Sequence, residues 1–302
     1  MEALWGFASS WFLNRMKHVV ITGISSGIGL AAARHLAQHD YHVYGSVRKE
    51  ADVARVQATV GENFTPLFFD VTDEDAICSA KEQVEHMLNG RGLTGLINNA
   101  GIAVAGPLMH LELDAVRQQF EVNVIGALAV MQAFLPLLGA DATAAHPPGR
   151  IVNISSVSGR LVFPFLGPYA ASKHALEALS DALRRELRIY GIDVIVIEPG
   201  SVRTPIWDKA DQVDLARFDR TDYGPIVRTF MRRAQESGRA GMSPTVIGRA
   251  ILDALEQERP HARHAIPNRY VLGWLLPRLL PARWLDRVIA RRLGLFPPGN
   301  QP

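Results

Sequence analysis

The strand-like run Lys17-His18-Val19-Val20-Ile21, followed by Thr22-Gly23-Ile24-Ser25-Ser26-Gly27-Ile28-Gly29, constrains the fold more than any other stretch of the chain. A short β-branched run reads as a buried strand, and the apolar-periodic residues that continue to His39 read as a helix. Between them, Gly23, Gly27 and Gly29 let the backbone approach a ligand and let helix pack closely on strand. The unpaired N–H groups of the helix start then face that ligand and favour an anion such as a phosphate.

The same alternation continues along the chain. Strand signals at 42–47, 66–69, 93–97, 151–156, 192–197 and 263–266 are separated by helical patterns at 49–60, 73–88, 114–138, 169–190 and 244–258. Strands alternating with helices predict a single doubly wound α/β (Rossmann) domain over residues 16–266, with a mostly parallel sheet of about seven strands. Residues 1–15 form an N-terminal extension in which Leu4, Phe7, Ala8, Trp11 and Phe12 recur at helical spacing. Residues 204–242, with Pro205, Trp207, Phe218, Tyr223 and Phe230 among charges, are long enough to be a helical lid or binding loop. Residues 267–302 make a tail whose last helix starts at Ala282, with Arg283, Arg287 and Arg291 on one row and Leu285, Ile289 and Leu293 on another.

Composition narrows the function classes. A net charge of +2 gives no warrant for a nucleic-acid partner, and the single Cys78, expected in a helix core, excludes an internal disulfide. No run of eighteen apolar residues is present, so a spanning helix is not expected, and a cytoplasmic chain is. The basic amphipathic tail suits either peripheral contact with a membrane surface or folding of its apolar row over a pocket or a second subunit.

Chemistry is concentrated in Tyr169-Ala170-Ala171-Ser172-Lys173, which places a phenol and an ammonium one helical turn apart on one face. A tyrosine pKa of about 10 must fall by about three units for proton transfer at neutral pH, which requires roughly 4 kcal/mol. A cation such as Lys173 contributes to this, and a second positive charge would help. Thirteen positions earlier stands Ser156, delivered by Ile151-Val152-Asn153-Ile154-Ser155 to the carboxyl end of a strand, where ligands bind in open α/β sheets.

Ser156, Tyr169 and Lys173 at these spacings, with the T-G-x-x-x-G-x-G turn at Thr22 and the Asn98-Asn99-Ala100-Gly101 turn, resemble the classical short-chain dehydrogenase/reductase family. The resemblance implies an NAD(P)-dependent oxidoreductase of carbonyl and alcohol groups that uses no metal. Ser156 would bind the substrate oxygen, Tyr169 would pass the proton, Lys173 would hold the nicotinamide ribose, and Asn123 would hold a water on the proton path. A satisfied core amide is the alternative for Asn123.

By the same resemblance the cofactor would meet Thr22, Gly23, Ser25, Ser26, Gly27, Ile28 and Gly29, then Asp70 and Val71 at the adenine. Asn99, Ala100 and Gly101, together with Pro199, Gly200, Val202 and Thr204, would lie along the nicotinamide half. Asp70 or Thr72 could instead cap the following helix. At the end of the second strand Val47 stands where NAD enzymes place a carboxylate on the ribose, and Arg48 follows. This favours NADP(H), with NAD(H) the alternative and a solvated Arg48 its bland counterpart.

Leu161, Val162, Phe163, Phe165 and Leu166 suggest a hydrophobic substrate, in the manner of hydroxysteroid and retinol dehydrogenases. The resemblance also implies a homodimer or homotetramer through the Asp114 and Tyr169 helices. A non-catalytic nucleotide-binding regulator, or an epimerase or dehydratase on this fold, is the competing reading.

Overall fold

The computed structural model of the chain describes residues 16–206 and 215–296. The N-terminal extension, Trp207 in the lid and the last six residues fall outside that description.

Seven strands form one sheet in the order β3-β2-β1-β4-β5-β6-β7, every neighbouring pair parallel. They are β1 Lys17–Ile21, β2 Tyr41–Val47, β3 Phe64–Phe68, β4 Gly95–Asn98, β5 Arg150–Ile154, β6 Asp193–Pro199 and β7 Arg263–Ile266. On one face lie α1 Gly27–Ala37, α2 Glu50–Val60 and, later in the chain, a helix Pro244–Glu256 packed against α1. The other face is covered by α3 Glu74–Leu88, a composite helix formed by α4 Leu113–Phe120 and α5 Ala127–Phe134, and α6 Gly167–Glu186. Two cores result, because a parallel sheet must be covered on both faces. Val19, Ile21, Ile97, Val152 and Ile197 serve one, and Val20, Leu96, Ile151 and Val194 the other.

The strand order reverses between β1 and β4, and the chain diverges there to leave a crevice at the carboxyl ends of the strands. The turns after β1 to β6, which carry the candidate site residues other than Asn123, Tyr169 and Lys173, leave the sheet at this end. The lid is helical: a short 3₁₀ turn Leu215–Phe218 precedes α7 Gly224–Arg239. Phe218, Val227 and Met231 build a third, smaller core with Ala105, Leu111 and Phe165 beside the crevice. The helix Pro244–Glu256 is then α8, capped by Ser243. Beyond β7 a wide π turn Val271–Leu275 leads into α9 Leu276–Leu279 and α10 Ala282–Leu293.

Three expectations are corrected. The 114–138 helix is not continuous: a π turn, Glu121–Gly126, interrupts it. Gly126 explains part of this, since a Cβ there would lie 2.5 Å from the Val71 carbonyl oxygen. Cys78 is exposed rather than in the core, because Ile77, Ala80, Val84 and Leu88 form the buried row of α3. Val47 packs into the core at 2% exposure instead of lining the crevice, since it shares the strand face of Val43.

Candidate active site

The crevice floor is built by bracing. The Thr22 hydroxyl accepts hydrogen bonds from the backbone N–H of Asn99 and of Ala100, both at 2.9 Å, and the Asn99 side chain donates to the carbonyls of Thr22 (2.9 Å) and Gly23 (3.0 Å). Thr22 is therefore buried beneath the crevice and ties the β1 turn to the β4 turn. Ser46 in β2 supports the same turn by accepting from the Gly23 N–H at 2.8 Å; a small hydroxyl residue next to the last position of the strand was the only sequence signal. Gly23 and Gly27 have φ of +69° and +60°, a region that penalises a side chain. At Gly29 a Cβ would meet the Gly23 carbonyl oxygen at 2.5 Å.

This turn fits a pyrophosphate. Ser26 precedes α1 in extended backbone without capping it through its side chain, and no acidic residue stands in the first turn. The helix thus presents its first N–H groups and positive end to the crevice. Across from it, Thr204 packs over Gly27, 3.1 Å from where a Cβ would be. The Pro199–Thr204 turn is held by backbone bonds from Gly200 to Ile266 (2.9 Å), Met242 to Ser201 (3.0 Å) and Arg203 to Met242 (3.0 Å). The buried Val202 side chain belongs to the core, so only its backbone borders the crevice.

Asp70 and Arg48, expected at the adenosine, meet beyond the ends of β3 and β2: Arg48 Nη1 lies 3.2 Å from Asp70 Oδ2, with the arginine side chain 64% exposed. Burial would raise the Asp70 pKa, but hydrogen bonds from the Thr72 N–H and hydroxyl and from Arg48 outweigh it and hold it below the ordinary range. Asp70 does not cap α3; Asp73 does, accepting from the Ala76 N–H at 3.0 Å. The Val71 side chain is buried in the core.

The catalytic candidates converge at the end of β5. Ser156 is fixed by accepting from the Ser158 N–H at 3.0 Å, and its hydroxyl stands close enough to Tyr169 to favour the phenolate. Pro168 at the start of α6 aligns the first turn that carries Tyr169. Lys173 Nζ donates to the Ile154 carbonyl at 2.8 Å and lies 5.9 Å from the centre of the Tyr169 ring. Burial raises the phenol pKa and the nearby Ser156 hydroxyl only partly offsets this. Lys173 alone therefore does not bring Tyr169 down, which leaves a role for a second positive charge. Burial also lowers the Lys173 pKa to about 8, against an upward pull from the Glu177 carboxylate.

Asn123 reaches the same centre through the π turn, which turns its amide inward. Its Oδ1 accepts from the Ile102 N–H (2.9 Å), and its Nδ2 donates to the Ile102 carbonyl (3.0 Å) and to the Ser172 hydroxyl (3.2 Å). Gln119, one turn earlier, repeats the pattern toward Ile102, Val104 and Ser172. Both N–H groups of the Asn123 amide and one lone pair of its oxygen are thus used in bracing. Gly101 lies between it and Lys173: a Cβ there would sit 3.2 Å from Asn123 Oδ1 and 3.8 Å from Lys173 Nζ.

Sequence reading missed Glu177, although it follows Lys173 by one turn on the same face. It is 3% exposed, and its Oε2 lies 3.3 Å from Arg160 and 3.0 Å from Arg263. Arg160 and Arg263 also face the buried Glu198, at 3.4 and 3.7 Å. A buried carboxylate one turn behind a buried amine is an electrostatic counterweight, not a surface ion pair.

The family model of the short chain dehydrogenases matches residues 17–214. The NADPH-dependent 3-dehydrocapnine reductase of Ornithobacterium rhinotracheale is 38% identical over 278 residues, covering 92% of this chain and 98% of its own. Human retinol dehydrogenase 5 is 33% identical, with 90% and 87% covered. Among solved structures, a short chain dehydrogenase/reductase from Burkholderia phymatum in complex with NAD is 26% identical, covers 82% of this chain and 88% of its own, and superposes with a TM-score of 0.70. The chain therefore belongs to the short-chain dehydrogenase/reductase family and is an NAD(P)(H)-dependent oxidoreductase of carbonyl and alcohol groups.

Proposed function

We propose that the protein reduces an apolar ketone or aldehyde with NADPH, or runs the reverse oxidation, using Ser156, Tyr169 and Lys173. The observation that carries this is the meeting of Ser156 and Tyr169 with a buried lysine, 5.9 Å from the Tyr169 ring centre, at the end of β5 and beside an uncapped glycine turn. The Ser158 N–H occupies a lone pair of Ser156 Oγ, which leaves the hydroxyl proton to hold a substrate oxygen. Tyr169 gives that oxygen its proton, and the Lys173 charge favours the phenolate left behind. Asn123, Gln119 and Ser172 keep the start of α6 and the Gly101 turn in register. When bound, the nicotinamide supplies the hydride.

The reading of NADPH rests on Arg48. Its partner Asp70 forms an exposed pair worth about 0–1 kcal/mol, so a 2′-phosphate can take over the guanidinium at little cost. The 3-dehydrocapnine reductase named above is NADPH-dependent, which points the same way. Because Val47 is buried, an Asp at that position would test stability rather than cofactor choice. The informative variant is Arg48→Ala. Initial rates should show its KM for NADPH raised about tenfold or more, through loss of a charged hydrogen bond, with NADH little affected. Equal effects on both cofactors would mean that Arg48 serves Asp70 alone.

An apolar substrate is supported by Phe165 and Leu111 in the core under the lid and by exposed Leu108, Met109, Val162 and Phe163 around the approach to Tyr169. In the same assay, lengthening an alkyl ketone should raise kcat/KM by about fourfold per methylene while the chain is being buried. A flat series would reject the apolar cleft. We retain self-association through the exposed face of α6, where Ala171, Ala178 and Ala182 leave room for a second helix.

A further inference from the structure

Twelve of the seventeen large apolar side chains exposed among the described residues lie in three segments: 108–113, 162–163 and 270–288. In the first, Leu108 rests against Gly167 at the start of α6, 2.9 Å from where a Cβ would be, and the second ends six residues before Tyr169. The third is the tail, which is tied to the same neighbourhood at both ends. Its first part, with Tyr270, Trp274 and Arg278, borders a cleft shared with Arg160. Its last part returns Leu293 and Leu295 to the core that contains Phe165, and the Arg292 carbonyl accepts from Arg233 at 2.8 Å. Residues 160 and 165 both belong to the segment that leads into Tyr169.

Between these anchors the tail turns apolar groups outward. Leu285, Ile289 and Leu293 make the half-buried row of α10, and Leu293 packs against the core that contains Phe165. On the opposite side, Trp284 is 60% and Val288 40% exposed, and upstream Val271, Leu276 and Leu279 are exposed as well. Charge on this tail is one-sided. Arg269, Arg278, Arg283, Arg287, Arg291 and Arg292 are all exposed, and Asp286 is the only acidic residue of 267–296. The chain as a whole carries only +2, so the tail is a positive patch on an otherwise net negative chain.

We propose that the tail and the adjoining rim dock on an anionic lipid bilayer. Outward Trp284 and Val288 enter the interfacial region, while Arg283, Arg287 and Arg291 beside them extend to the headgroups. A second copy of the chain is the poorer occupant, because two such tails across a twofold axis would oppose arginine to arginine. No helix among the described residues is long and apolar enough to cross a membrane, so the contact is peripheral. It also brings the mouth of the crevice to the bilayer surface, a consequence that rests on the reading of an apolar substrate, whereas docking itself does not.

The test is co-sedimentation of the full chain with vesicles of phosphatidylcholine alone or with about a third phosphatidylglycerol. Binding is expected on the anionic vesicles, weakened by salt. Arg283→Gln with Arg287→Gln should reduce partitioning by about fivefold for each arginine removed, and Trp284→Ser with Val288→Ser should also release the protein. NADPH binding in solution, followed by fluorescence, is expected to be unchanged in both and shows that the variants are folded. Equal partitioning onto neutral and anionic vesicles, or variants that bind like the parent, would overturn the proposal. So would light scattering in which the same variants dissociate a dimer while no form binds vesicles. Because no readout is turnover, failure here leaves the oxidoreductase reading untouched.

Discussion

Tyr169→Phe is expected to lower kcat at least a hundredfold while NADPH still binds with nearly its original affinity. The phenyl ring keeps its place in the first turn of α6, so the removed group is the hydroxyl alone. Acid–base groups in such positions contribute about 10²–10⁴-fold. Ser156 remains fixed by the Ser158 N–H, and Lys173 by the Ile154 carbonyl, so neither partner must move. Stopped-flow titration of NADPH and steady-state kinetics on the same preparation separate the two effects. Retention of more than about a tenth of kcat would reject Tyr169 as the proton donor.

Glu177→Gln is expected to move the alkaline limb of the kcat/KM profile to lower pH. Burial has already brought Lys173 down to about 8, and the Glu177 charge is what opposes it. The ammonium is the form that stabilises a phenolate, so activity falls as pH rises through the Lys173 pKa. Without the carboxylate charge that pKa drops, and the fall begins earlier; each unit of displacement is worth about tenfold on the far side of the limb. Tyr169 and Glu177 are the groups facing Lys173 from α6, while Arg160 and Arg263 face Glu177 from the β5 turn and from β7. Glutamine keeps the shape and an acceptor for the two arginines, which retain Glu198 and Asp181 as partners. Deleting the side chain as Glu177→Ala would instead leave a cavity and remove that acceptor, so that the two guanidinium groups keep only Glu198 and Asp181. An unchanged limb in Glu177→Gln, with only a lowered melting temperature, would reduce Glu177 to a structural brace.

The strands and the glycine turn were legible because their signals are local: β-branched runs and glycines at a fixed spacing act over a few residues. Ser156, Tyr169 and Lys173 were legible for the same reason, since a strand end and one helical turn already place them. Thr22 shows where such reading stops. The resemblance suggested that it contacts the cofactor; that its hydroxyl oxygen accepts from the Asn99 and Ala100 N–H groups, seventy-seven and seventy-eight residues away, only the fold displays. Glu177 depends likewise on Arg160 and Arg263, which only the fold brings together. Val47 was a different kind of miss, because strand alternation puts it on the face of Val43 and that pattern was available. The π turn at Glu121–Gly126 keeps nearly the apolar period of an α-helix, so only the close approach of Gly126 to Val71 reveals it.

The most direct test of the central claim follows the hydride. The protein is mixed with NADPH dideuterated at the nicotinamide C4 and a set of apolar ketones and aldehydes, and the products are read by mass spectrometry. At least one carbonyl should become an alcohol carrying a single deuteron on carbon, in wild type and not in Tyr169→Phe. Binding of NADPH without transfer of the label to any carbonyl, or label lost to water, would contradict direct hydride transfer at Ser156, Tyr169 and Lys173.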